Sequence, residues 1–174
     1  MTGRILVAGI GNVFFGDDGF GVEVAGLLAR REWPAGVDVS DFGIRGYDLA
    51  FALLDGYRSA ILLDATARGE APGTLYVIDP ELDTLPGPAV PDGHGLDFAG
   101  VLQLVGRLAA EGAAPSATEP AWIRIVGCEP DPRSLDADEP GLSAAVRAVL
   151  DDAVRLVEDI VRERMREERS RSDA

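Results

Sequence analysis

The sequence predicts an α/β fold: a three-layer sandwich whose mostly parallel sheet of about five strands carries helices on both faces. Two patterns predict it. Short apolar runs alternate with helical periods from end to end, and several of those runs are apolar at nearly every position, as in strands buried on both sides. The length of 174 residues adds a bound, because it suffices for one full core and falls short of two.

The elements follow in order. Residues 4–10 form an apolar run closed by Gly11, a buried parallel strand. Residues 20–31 read as a helix, with Asp17 or Asp18 available as its N-cap. Residues 37–42 alternate as a second strand, and a short helix over 47–54 stops before Gly56. Residues 59–64 are apolar until they reach Asp64, and residues 73–78 form a fourth strand between Pro72 and Pro80. The prolines and glycines of 85–95 mark a loop. Phe98, Val101, Leu102, Val105 and Leu108 fall at helical spacing, residues 121–126 are the last strand, and a long amphipathic helix starts at Leu142. Its charge-dense end, from Arg162 onward, is expected to fray. Residues 1–169 are therefore read as a single domain and 170–174 as a disordered tail.

Composition excludes several functions. The formal net charge of −14 repels a polyanion, so no nucleic-acid partner is expected. No apolar run approaches the ~20 residues that span a bilayer, so no membrane role is expected. Cys128 is the sole cysteine, which rules out an intrachain disulfide and a cysteine-based zinc site. The first strand begins by Arg4, leaving no room for a leader, so a reducing cytoplasm is the expected compartment.

Ligands of such sheets bind outside the carboxyl ends of the strands. There the chain places Asp17 and Asp18 after the first strand, Asp41 at the end of the second and Asp64 at the end of the third. Acids gathered at one edge repel one another unless a cation offsets them; the alternative is that each caps a helix. The segment after Asp64 looks like loop, which argues against a cap there. His94, the single histidine, stands in the loop before the helix that begins at Phe98, and imidazole with carboxylates suits nickel or zinc better than carboxylates alone. A dinucleotide site is rejected, because Phe14 stands where the third fingerprint glycine belongs and Asp17 and Asp18 occupy the place of a pyrophosphate. No Gly-x-Ser-x-Gly elbow supports a serine hydrolase. Cys128 reads as a small core residue.

These residues resemble a known family. Gly9-Ile-Gly-Asn12 followed by Asp17-Asp18-Gly19-x-Gly21 is similar to the opening motif of the hydrogenase maturation endopeptidases. Ile61-Leu-Leu-Asp64-Ala65 and His94-Gly95-Leu96 resemble the family's second acidic motif and its histidine motif. Asp41-Phe-Gly43-x-x-Gly46, Val126-Gly-Cys-Glu129-Pro130 and Leu142-Ser143 fit in the same order. The resemblance covers roughly residues 4–161.

It implies an endopeptidase that removes the C-terminal extension of a nickel-loaded hydrogenase large-subunit precursor. Asp18, Asp64 and His94 would hold nickel supplied mainly by that precursor, with Asp17 able to share the role of Asp18 and Asp41 left as an auxiliary acid or base. Where family members often carry Gly-Gly-Thr, this chain has Phe42-Gly43-Ile44, so a hydroxyl role there does not transfer. The rival readings are a non-catalytic nickel-binding assembly factor on the same residues and a related peptidase with another protein substrate.

Overall fold

Unbroken burial from Ile5 to Ile10 leaves the first strand, β1 (Arg4–Ile10), no solvent face, and it lies inside the sheet. The computed structural model describes residues 3–80, 97–112, 120–135 and 140–172. Its other strands are β2 (Val37–Gly43), β3 (Tyr57–Ala65), β4 (Leu75–Ile78) and β5 (Trp122–Cys128), in the order β2-β1-β3-β5-β4. All neighbours are parallel except β4, which runs antiparallel to β5 at one edge.

Side chains alternate across the sheet and divide the core in two. Ile5, Val7, Ile61, Leu63 and Val126 pack under α1 (Phe20–Leu28) and α6 (Leu150–Ser172). Leu6, Ala8, Leu62 and Ile125 pack under α2 (Gly46–Leu53) and α3 (Phe98–Ala110). Two short helices, α4 (Pro132–Leu135) and α5 (Ala144–Ala148), follow β5. The predicted three-layer sandwich is the observed fold.

The carboxyl-terminal region departs from expectation in two ways. The helix expected from Leu142 is two helices, because Val149, at φ −102° and ψ 2°, ends α5 before α6 begins. Helix α6 runs on through the charged stretch to Ser172. Arg164 is buried, donating from Nε to Ser59 Oγ at 2.8 Å and stacking 5.0 Å from the Trp122 ring centre. Ser59 in turn donates to Glu168 Oε1 at 2.8 Å, and Glu168 pairs with Arg164 at 3.3 Å. A charge density that reads as solvated in the sequence is here a buried ion pair, bridged by Ser59, that docks α6 on the far end of the sheet.

Candidate active site

Asp64 stands one residue before the end of β3, opposite Gly127 of β5, and is 4% exposed. Its Oδ2 accepts from the Phe98 amide at 3.3 Å, so the positive end of α3 faces the carboxylate. Asp97 caps that helix, accepting from the Gly100 amide at 2.8 Å. Burial holds the Asp64 carboxyl well above its ordinary value of 3.8, and the charges of Asp18 and Asp97 push the same way. The amides of Phe98 and Ala65 offset only part of this.

Asp17 and Asp18 lie in a 3-10 turn over Gly16–Gly19. Neither caps α1: the N-cap is Gly19, with no side-chain hydrogen bond, so the capping expectation is corrected. The turn intervenes between strand and helix and sends the two acids in different directions. Asp17 is fully buried, accepting from the amides of Ser143 at 2.6 Å and Asp131 at 2.8 Å. Asp18 instead accepts from the Asn12 amide at 2.6 Å, and its charge is the first to act on Asp64. Gly11 makes this approach possible. At φ +129° it adopts backbone that other residues avoid, and a Cβ there would lie 1.8 Å from the Asp18 carbonyl oxygen. Asn12 Oδ1 accepts from the Phe14 amide at 3.0 Å and stiffens the same turn.

Asp41 does not join this pair. Gly9 pairs with Asp41 on one side and Leu63 on the other, so Asp41 shares the face of Leu63 while Asp64 takes the opposite one. Two strand spacings, about 10 Å, also separate β2 from β3. Asp41 is exposed and lines a cleft of about 400 Å³ with Asn12, Val13, Phe14, Ile44 and Arg45. Phe14 is 73% and Ile44 58% exposed there, an unusual cost for large apolar side chains.

His94 lies outside the described residues, as does the whole of the loop predicted over 85–95. The chain resumes three residues later at Asp97, beside the Phe98 amide that binds Asp64. Among the described residues no group of three His, Cys, Asp or Glu side chains could hold a metal ion; of the three residues expected as ligands, Asp18 and Asp64 are described and His94 is not.

No activated nucleophile stands near the pair among the described residues. Cys128 is buried, and burial, with the charges of Asp17 and Glu129, pushes its thiol up to about 12, so it stays protonated at neutral pH. Ser59 is committed to the Arg164–Glu168 network at the other end of β3. Thr66 Oγ1 is buried without a hydrogen-bond partner, hence without a base to activate it.

Three supporting residues escape sequence reasoning. Asn12 is visible in the motif, but only the fold shows its amide holding Asp18. Asp97 had a signal, an acid directly before an apolar helical period. Glu129 had none. It is buried and gathers the loop that follows Asp64, accepting from the amides of Arg68 at 2.7 Å and Gly69 at 3.1 Å and from the Tyr76 hydroxyl. Burial pushes its carboxyl up, but these donors outweigh it and hold the carboxyl below the ordinary value.

Residues 22–160 match a family model described as hydrogenase maturation protease. The hydrogenase expression/formation protein HupM of Azotobacter chroococcum is 34% identical over 169 residues, covering 94% of this chain and 76% of that one. Among solved structures, the hydrogenase maturating endopeptidase HybD from E. coli superposes with a TM-score of 0.72 at 27% identity, over 92% of this chain and 93% of that one. A hydrogenase 2 maturation peptidase from a Thaumarchaeota archaeon does so with a TM-score of 0.62 at 30% identity, over 91% and 97%.

Proposed function

This chain belongs to the hydrogenase maturation protease family, and from that premise we propose that it is the endopeptidase that removes the C-terminal extension of a nickel-loaded hydrogenase large-subunit precursor. The observation that carries the proposal is Asp64, buried at the carboxyl edge of the sheet where the charge of Asp18 acts on it. A buried carboxyl whose proton affinity is raised by burial and by a neighbouring acid's charge favours a cation beside it. Imidazole from His94 completes a donor set suited to nickel.

The metal belongs to the substrate in this reading, so the protease senses nickel loading before it cuts. Bound there, nickel supplies Lewis-acid polarisation of the scissile carbonyl or a positioned water. The chain's own residues do the rest. The Phe98 amide and the N-terminus of α3 orient Asp64, and the Asn12 amide orients Asp18. The precursor's tail lies in the cleft between Phe14 and Ile44, where burying these side chains aligns the peptide and excludes water. Asp41 contributes to that cleft as a binding group and not as a base beside the pair. No helix among the described residues is long and apolar enough to cross a membrane.

The test is processing of purified nickel-loaded precursor, followed by mass. Alanine at His94 or Asp64 is expected to slow cleavage about a hundredfold or more with the fold retained. Normal cutting by both variants refutes the site. A wild-type protein that binds the precursor without shortening it refutes the peptidase and leaves a nickel-binding assembly factor.

A further inference from the structure

We propose that Asp17 is a positioning residue: its buried carboxylate clamps the turn that carries Asp18 to two distant chain segments, and so fixes where Asp18 stands. The inference rests on the reading of Asp18 as a site acid and adds a role for its neighbour that this reading does not need.

The clamp joins three pieces of chain. One carboxylate oxygen accepts the Ser143 amide at 2.6 Å and the other accepts the Asp131 amide at 2.8 Å. The Asp17 amide donates to Ser134 Oγ at 2.9 Å, so both the backbone and the side chain of one residue are held from outside its own element. Gly16 permits the contact: it sits at φ +51°, and a Cβ there would lie 2.1 Å from Ser134 Oγ. Each partner is itself anchored. Ser143 caps α5 by accepting from the Val146 amide at 3.3 Å, and the Ser134 amide donates to the Asp131 carbonyl at 2.9 Å.

A fully buried carboxylate with no cationic partner among these contacts is expensive unless its donors are fixed. Here the donors are backbone amides of segments more than a hundred residues away, so the bonds tie the turn to the body of the protein. The Cα atoms of Asp17 and Asp18 are about 3.8 Å apart across one peptide bond. Any shift of residue 17 is therefore passed to the carboxylate of residue 18, and ångström-scale misplacement of a reacting group costs on the order of a hundredfold in rate. Adjacent acids in the motif thus divide the labour: one works at the edge and the other holds it there.

The experiment compares wild type with Asp17→Asn, whose amide group presents N–H where the site already supplies N–H. The first readout needs no substrate: hydrogen exchange of the Asn12 amide, which donates to Asp18 Oδ2. The expected result is exchange about tenfold faster or more at Asn12, with β3 amides such as that of Ile61 still protected. The second is cleavage of nickel-loaded precursor well below the melting temperature, with kcat lowered by about 10- to 100-fold and KM within about twofold. In an Asp18→Glu background the same substitution is expected to cost less than about threefold more, because the two act through one position.

Wild-type protection of Asn12 together with a wild-type kcat in folded Asp17→Asn overturns the proposal. If that variant does not fold, Ser134→Ala decides, by faster Asn12 exchange in support or unchanged exchange against. Failure of the wild type to cut any precursor is a failure of the proposed function and leaves the exchange result standing by itself.

Discussion

The Phe98 amide donates to Asp64 Oδ2 at 3.3 Å, joining the first turn of α3 to the end of β3. That bond fixes the carboxylate but does not relieve its burial or the charge of Asp18, and the Asp64 carboxyl stays well above its ordinary value. The ionised form of Asp64 is thus held at a cost that a cation beside it would offset.

Replacing Asp64 by Asn is therefore expected to separate stability from function. The amide keeps an acceptor for Phe98 and removes the buried charge, so the melting temperature at neutral pH rises, at roughly 2–4 °C per kcal/mol for a chain of this size. Precursor cleavage falls about a hundredfold or more. Thermal melts and a cleavage assay on one preparation check both.

The sign of the pH dependence follows from the same group. An acid whose folded value is raised binds more protons folded than unfolded, so its contribution is fully present below about 3.8 and is lost as pH rises toward the folded value. Melting temperatures of wild type and Asp64→Asn should thus converge near pH 4 and diverge at higher pH, with the wild type below the variant. Parallel curves across that range contradict the assignment.

Truncating the cleft should affect binding. Phe14→Ala and Ile44→Ala each remove an exposed apolar side chain that the precursor's tail is expected to cover, a loss of about 1.5 kcal/mol, or roughly tenfold in KM, with kcat little changed. Steady-state kinetics on the precursor measure the split.

Cys128 should be dispensable for chemistry. Its thiol, pushed up to about 12 inside the core, neither attacks a carbonyl nor reacts readily with iodoacetamide at pH 8. Cys128→Ala is expected to retain cleavage and to lose roughly 1 kcal/mol of stability by chemical denaturation.

The strands were legible because their chemistry is local. The apolar runs ending at Ile10 and Asp64 leave no other reading, and a carboxylate closing such a run marks the sheet edge. Asp17 and Asp18 were not separable, since adjacent acids look alike until the 3-10 turn directs one to Ser143 and the other to Asn12. Asp41 was grouped with Asp64 because sequence reports strand ends and not faces; pairing through Gly9 sets the two on opposite sides. The end of α6 misled for a similar reason. Arg164 and Glu168 look solvated until Ser59 and Trp122, from other strands, complete their network.

The central claim is that a nickel-loaded precursor completes the site that Asp18, Asp64 and His94 begin. The most direct measurement incubates the purified protein with nickel-free and nickel-loaded precursor side by side and reads the mass of each. The expected result is shortening of the loaded precursor alone, lost in His94→Ala; equal shortening of both, or of neither, contradicts the account.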